Sequence, residues 1–271
     1  MSDKKRLDTY LVENGHFDSR EKAKRVIMSG VVYVNKRLVD KPGYFVGPDD
    51  LVRIKDHSLK YVSRGGVKLE KALREFHVEV KGKTVLDCGA STGGFTDCLL
   101  QAGAKKVYAV DVGYGQLDWK IRQDRRVVVM ERTNARYLSP EDLGEQCHIA
   151  TIDVSFISLQ LILPAVKKCI ADGGDILALI KPQFEAGKDK VGKKGVVRQP
   201  EIHREVLQTI VTFCKREELF VADLSYSPIT GPQGNIEFLI HLKKMKGSYG
   251  KRNLALETRK VVEEAHKELQ S

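Results

Sequence analysis

No apolar run in this 271-residue sequence approaches the roughly 20 residues that a helix needs to cross a bilayer, which excludes a membrane-spanning reading. Cysteine is sparse and unpatterned: Cys88, Cys98, Cys147, Cys169 and Cys214 are odd in number, widely scattered and form no C-x-x-C pair. No histidine stands at ligand spacing from them, so neither a disulfide framework nor a metal site is expected, and the five read as reduced, mostly buried thiols. Acid is in short supply as well. The 36 Asp and Glu face 46 Lys and Arg, a formal charge of +10 whose usual partner is a polyanion. The start, Met1 to Leu7, is charged and runs into an amphipathic pattern rather than an apolar signal core, so the expected location is cytoplasmic. No internal repeat is visible. What is present is 42% hydrophobic residues, enough for a proper core, and a length that exceeds one ordinary domain. A catalytic-size domain plus a small module is therefore expected.

The first 55 residues read as two helices followed by short strands. Leu7, Leu11 and Val12 form one apolar stripe, and Ser19 is placed to cap a second helix with Lys22 at the third position, half of a capping box. That helix presents Ala23, Val26 and Ile27 and ends at Gly30. Val31 to Val39 gives two short β runs about a turn at Asn35-Lys36, and Pro48 to Ile54 leads into a last strand. The runs Arg6-Leu-Asp-x-Tyr-Leu, Ser19-Arg-x-Lys-Ala-Lys-Arg-Val-Ile, Gly30-x-Val-x-Val-Asn and Asp49-Asp-x-Val-Arg-Ile resemble an S4 RNA-binding domain. The resemblance implies a basic helix face that grips structured RNA through its phosphates, here Arg6, Arg20, Lys24 and Arg25. Contacts of that kind supply affinity and register more than sequence choice.

Lys55 to Ser63 is a polar connection, and from Lys68 onward strands alternate with helices, the mark of an α/β sheet. Thr84 to Cys88, Lys106 to Asp111, Val127 to Met130, Ile149 to Asp153 and Asp175 to Lys181 are the strand candidates, with a helix over Phe95 to Ala102. Leu219 to Ser225 and Ile236 to Leu242 are joined by a Gly/Pro-rich loop with no helix, which predicts a closing antiparallel hairpin on an otherwise parallel sheet. Lys243 to Ser271 is a basic turn and then an amphipathic helix carrying Val261, Val262 and Ala265. The expected domain bounds are 1–58, a link at 59–63, and 64–271.

Between the first strand and first helix of that sheet, Gly89, Gly93 and Gly94 bring backbone close to a ligand, with Ala90, Ser91 and Phe95 in the same loop. The spacing is not the G-x-G-x-x-G of pyrophosphate binders. An acid, Asp87, ends the strand, where it would repel a pyrophosphate but suits a sulfonium or amino-acid cation. Asp111, 24 residues on, ends the second strand, where it would accept hydrogen bonds from ribose hydroxyls. Together these residues point to S-adenosylmethionine rather than NAD. Asn134, after the third strand, is a candidate adenine contact or a simple loop cap.

The run Asp87-x-Gly-Ala-x-x-Gly-Gly-Phe-Thr is similar to that of the FtsJ-type RNA 2′-O-methyltransferases, and the combination with an S4 module resembles the TlyA family of ribosomal RNA methyltransferases, often labelled hemolysins. The resemblance implies a Rossmann-like class I methyltransferase sheet behind a small α+β domain, and a Lys-Asp-Lys-Glu tetrad at Lys68, Asp153, Lys181 and Glu237. Asp153 is implied in cofactor binding too. The chemistry wants these residue types, because a ribose 2′-OH is a poor nucleophile and an amine can take its proton while a methyl moves in line from sulfur. Lys181 is the candidate base. Lys181 to Arg198 holds six basic and two acidic residues and reads as a basic loop over a substrate channel, while His203 and His241 receive no role. The function expected is methylation of a ribose 2′-OH, a cytidine by the resemblance, in ribosomal RNA or subunits. The competing readings are an RNA-binding ribosome-assembly factor with an inactive methyltransferase domain and, disfavoured by the polar C-terminal helix, a membrane-lytic protein. A DNA or protein methyltransferase is disfavoured because Asp153-Val-Ser-Phe lacks the Asn/Asp-Pro-Pro-Tyr type of motif.

Overall fold

The computed structural model describes residues 4–28, 30–54, 60–192, 194–245 and 252–269. By its internal contacts the chain divides into two units, Met1–Gly66 and Val67–Ser271. Residues 55–59, which fall in the expected connection, lie outside the described residues.

The first unit runs β1 (Lys5–Arg6), α1 (Leu7–Glu13), α2 (Arg20–Met28), β2 (Val32–Val34), β3 (Arg37–Leu38), β4 (Phe45–Val46) and β5 (Val52–Ile54). The sequence pattern missed β1, which is two residues long and pairs antiparallel with β4, too short for any periodicity to register. Leu7 and Leu11 from α1 and Ala23 and Ile27 from α2 have no exposed surface and close over Val32, Val34 and Val46. The ends of α2 follow the sequence signals: Ser19 Oγ accepts the Lys22 amide at 3.2 Å, and Gly30 has φ +73°. The β2–β3 turn needs positive φ at both central residues, and Asn35 (φ 50°) and Lys36 (φ 67°) supply it, giving the backbone twist that two paired strands require.

The second unit runs α3 (Gly65–Glu75, whose first two residues close the first unit), β6 (Thr84–Cys88), α4 (Gly94–Gln101), β7 (Lys106–Val110), α5 (Trp119–Arg122), β8 (Val127–Met130), α6 (Pro140–Leu143), β9 (Cys147–Ile152), α7 (Leu159–Cys169), β10 (Ile170–Ile180), α8 (Pro182–Glu185), α9 (Pro200–Arg216), β11 (Phe220–Tyr226), β12 (Phe238–Lys243) and α10 (Leu254–Leu269). Its seven-stranded sheet has the order β11-β12-β10-β9-β6-β7-β8. The pairs among β6, β7, β8, β9 and β10 are parallel, and β12 is antiparallel to both of its neighbours. The architecture is the expected Rossmann-like α/β sheet with a terminal hairpin. Near-continuous apolar strands such as Ile176 to Ile180 are buried on both faces, each large side chain contributing about 1.5–3 kcal/mol. On α10, Val261, Val262 and Ala265 are buried as expected.

Two of the boundaries that move bear on the site. β10 begins at Ile170, five residues ahead of the expected start, because it follows α7 without a loop and its register on β9 is interrupted between Ile170 and Asp175. Glu237 does not open the last strand but stands one residue before β12.

Topology decides where the polar residues collect. Asp87 lies at the carboxyl end of β6, and Asp111, Asp153 and Lys181 directly follow β7, β9 and β10. In a parallel sheet those ends share one edge. Because β12 runs the other way and pairs Phe238 with Ile180, the residue preceding it, Glu237, falls on the same edge beside Lys181.

Candidate active site

The glycine loop is built for close approach. Gly89 has φ +86°, and a Cβ there would lie 2.5 Å from the carbonyl oxygen of Asp153, so no side chain fits between the loop and β9. Gly93, at φ +95°, precedes α4 with the side chains of Leu117 and Ile121 against it. Gly94 opens α4, and Ala90 and Phe95 are buried beneath the turn. Ser91, at φ 48°, donates its amide to Asp111 Oδ2 at 2.8 Å, while Asp111 Oδ1 accepts the Gly113 amide at 2.7 Å. Asp111 thus closes the loop from the tip of β7.

Asp87 departs from the sequence expectation of a direct cationic contact. It has no exposed surface: Oδ2 accepts the Thr96 hydroxyl at 2.6 Å and Oδ1 the Thr151 hydroxyl at 2.9 Å. Burial pushes its carboxyl up to about 6, the two hydroxyls pull it partly back, and the charges of Asp153 and Asp111 push the same way as burial. The residue supports the loop from below by joining β6 to the first turn of α4 and to β9. Asn134 is exposed and its Oδ1 accepts the Arg136 amide at 3.0 Å, the capping role weighed from sequence, which leaves Nδ2 free of that cap.

The four tetrad positions meet at the strand edge. Glu237 Oε2 accepts from Lys68 Nζ at 2.5 Å, with both side chains buried. Lys181 Nζ lies 2.5 Å from Asp153 Oδ1 as an ion pair off the hydrogen-bond axis, and donates to Ser155 Oγ at 3.0 Å. Burial alone would raise the Asp153 carboxyl, but the ammonium groups of Lys181 and Lys68 outweigh it and hold the group below the ordinary carboxylate range, hence ionised. Glu237 Oε1 is a buried acceptor that receives no hydrogen bond among the described residues, an arrangement that costs free energy unless a donor arrives. A Cβ on Gly231 would sit 2.2 Å from Glu237 Oε1, so only glycine admits the carboxylate there. The set fits an S-adenosylmethionine and a hydroxylic acceptor: a glycine loop that permits close approach, Asp111 beside it, and an unmet Glu237 oxygen near two amines.

In the first unit, Arg6 and Arg20 are drawn partly into a structural task. Both bond the buried Asp8, Arg6 Nε at 3.0 Å to Oδ1 and Arg20 at 3.0 Å to Oδ2, while their side chains stay roughly half exposed. The Arg6 hydrogen bond is the largest influence holding Asp8 at about 2. Lys24 lies on the same helix, and the Arg25 side chain is outside the described residues. In the basic loop, Lys193 is also outside them, Lys190 pairs with Glu205, and the loop is held by Asn235, whose Oδ1 accepts the Val197 amide and whose Nδ2 donates to Gly195. Asn235, Thr96, Thr151, Ser155 and Glu185 received no sequence assignment. Thr96, Ser155 and Glu185 sit inside motifs that were singled out, but short polar side chains carry no spacing signal of their own. His203 contacts His266 at 2.8 Å and His241 contacts Asp175 at 2.8 Å, away from the tetrad's bonds.

Comparison with known proteins follows the same division. The family model described as FtsJ-like methyltransferase matches residues 61–244, and that of the S4 domain residues 5–52. The protein YqxC of Bacillus subtilis (strain 168) is 56% identical over 270 residues, covering 99% of this chain and 96% of its own. The 16S/23S rRNA (cytidine-2′-O)-methyltransferase TlyA of Mycobacterium tuberculosis is 42% identical over 244 residues, covering 90% of this chain and 91% of its own. A solved structure from Streptococcus thermophilus, described as a candidate hemolysin, is 48% identical with a TM-score of 0.79 and covers 98% of this chain and 97% of its own. Among the described residues no helix is long and apolar enough to cross a membrane.

Proposed function

Because the chain belongs to the FtsJ-like methyltransferase family and carries an S4 domain ahead of the catalytic unit, we propose that it transfers a methyl group from S-adenosylmethionine to a ribose 2′-OH of ribosomal RNA, in the cytoplasm, with a cytidine as acceptor. The name of the Mycobacterium tuberculosis relative supports the acceptor. The observation that carries the reading is the joining of Lys68 to Glu237 and of Lys181 to Asp153 at one edge of the sheet.

Bound S-adenosylmethionine supplies an electrophilic methyl group on a sulfonium. The loop Gly89, Ala90, Ser91, Gly93, Gly94 and Phe95 would hold it, with Asp111 accepting from its ribose and Asn134 adding a contact, while Asp87 stiffens the loop from beneath. In its neutral amine form Lys181 Nζ would take the proton of the 2′-hydroxyl as that oxygen attacks, with the new O–C bond replacing the C–S bond of the methyl donor. Asp153 holds Lys181 and takes part in the cofactor pocket; Lys68, tethered by Glu237, orients the acceptor ribose. Residues 1–58 form the gripping module, 59–63 the link and 64–271 the catalytic domain. Arg6, Arg20, Lys24 and Arg25 bind phosphates of the RNA or of a ribosomal subunit.

Incubation with methyl-labelled S-adenosylmethionine and ribosomal RNA or subunits tests this. Label should appear in an alkali-stable dinucleotide, because a 2′-O-methyl group blocks cleavage at its own phosphate. Label on a base would move the acceptor, and RNA binding without any label would leave an assembly factor with a silent catalytic domain.

A further inference from the structure

Glu185 stands four residues after Lys181, at the end of α8, and takes no part in the tetrad. Both of its oxygens reach across to the segment that follows Asp153. Oε2 accepts the Ser158 hydroxyl at 2.6 Å and Oε1 accepts the Leu159 amide at 2.8 Å, so the carboxylate caps the first turn of α7 from another segment of chain. Ser158 Oγ in turn accepts the Gln160 amide at 3.1 Å. Between the two segments lie two more cross-links: Lys181 with Asp153 and Ser155, and Phe184 against Phe156 with ring centres 5.0 Å apart. Phe156 is 90% exposed and has φ +65°, a left-handed conformation that a non-glycine residue keeps only when its surroundings impose it. Asp153 is anchored at the other end of this loop by its amide, which bonds the Cys88 carbonyl at 2.9 Å. The loop between Asp153 and α7 is therefore fixed at both ends, and Glu185 is the outer fixing point.

We propose that Glu185 is a positioning residue for methyl transfer: by capping α7 it holds the strained 154–158 loop so that Asp153 and Ser155 stay on Lys181. The proposal rests on the methyltransferase reading given above. The Glu185 carboxyl is raised by burial, with the Ser158 and Leu159 bonds opposing the shift, as suits a group whose charge is stabilised only by this cap.

The test compares Glu185→Ala and Glu185→Gln in the full chain. Single-turnover methyl transfer is measured at saturating RNA and S-adenosylmethionine, per cofactor-binding site, and the Leu159 amide is followed by hydrogen exchange. In the alanine variant the single-turnover rate should fall at least tenfold, cofactor and RNA dissociation constants should hold within twofold, and Leu159 exchange should quicken at least tenfold. Glutamine, which keeps an acceptor for Leu159, should recover the rate to within about threefold of wild type. An unchanged rate per site in Glu185→Ala overturns the proposal, as does failure of glutamine to recover it. Should the alanine variant not fold, Ser158→Ala removes one of the two cap bonds and should slow transfer several-fold; an unchanged rate there overturns it equally. Unchanged Leu159 exchange removes the cap whatever the wild-type activity, whereas a wild type without transfer but with the exchange effect sinks the methyltransferase reading alone.

Discussion

Asp8 in the N-terminal unit and Asp87 in the catalytic unit both lack exposed surface, yet the first is held at about 2 and the second pushed up to about 6. The difference lies in depth and in the charge of the partners. Asp8 is covered only by a thin layer and lies between the Arg6 and Arg20 guanidiniums, which reach into solvent. Asp87 is deep in the sheet and meets only the neutral hydroxyls of Thr96 and Thr151, which cannot offset the desolvation of a full charge. The tetrad stands between these cases: Asp153 lies at the sheet edge with 18% of its side chain exposed, is charge-paired like Asp8, and remains ionised. Burial therefore says nothing about the state of an acid until its partners are named.

The largest effect expected comes from breaking the deep ion pair. Lys181→Ala should lower methyl transfer by at least about a thousandfold while cofactor and RNA still bind, with folding checked by circular dichroism because an unpaired Asp153 is costly. Lys181→Arg should be nearly as poor, since a guanidinium keeps its proton at any working pH and cannot act as base. Substantial activity in the arginine variant would replace the base role by a fixed positive charge.

Next comes the shallow pair. Asp8→Asn should destabilise the N-terminal unit by about 1–2 kcal/mol, a figure discounted because both arginines are half exposed. As its pKa is depressed in the folded state, the wild-type contribution is present above the ordinary value near 4 and lost as pH falls toward 2, and denaturant midpoints across that range read it. Arg20→Ala sharpens the comparison, for it should lower both this stability and the salt dependence of RNA binding, whereas Lys24→Ala should lower only the latter. An unchanged salt slope in both variants would leave the basic face a solvated surface.

The smallest effect is the opposite pH signature of Asp87. Its folded pKa is raised, so the folded state binds the proton more tightly, and the catalytic unit should lose stability as pH rises from about 4 to about 6 and then level off. Asp87→Asn should flatten that slope without loss of folding at neutral pH. A slope that survives the substitution would assign it to another group.

Much of the fold was open to reading from local pattern. Ser19 and Gly30 bound α2 as capping chemistry dictates, the apolar strands alternate with helices as a parallel sheet requires, and the loop from Asp87 to Thr96 announces a close backbone approach. The tetrad could be named in order through the resemblance to FtsJ-type methyltransferases; three of its members stand at or beside a strand end and Lys68 stands on α3. What escaped was every partner far along the chain. Arg6 and Arg20 read as solvent-facing phosphate grips because nothing in the spacing reveals that Asp8 lies buried between them. Asp87 read as a ligand contact because a strand-end acid looks the same whether it faces the cleft or the core. Glu185 sat in view within Lys181-Pro-Gln-Phe-Glu, but its bonds go to Ser158 and Leu159, 27 and 26 residues earlier.

The sequence by itself determined the two-part organisation, the α/β class and the glycine loop, since periodicity, capping and turn chemistry act over a few residues and are written locally; the four polar residues came from the family resemblance. Only the tertiary structure decided which of them pair. Lys68, on α3, and Glu237 are 169 residues apart and meet only in the folded unit, while the antiparallel insertion of β12 beside β10 is what brings Glu237 to the edge that ends in Lys181. That strand order, and the burial that keeps one acid charged beside its ammonium partners and raises another to about 6, follow from the packing of the whole sheet, where long-range contacts outweigh any local preference.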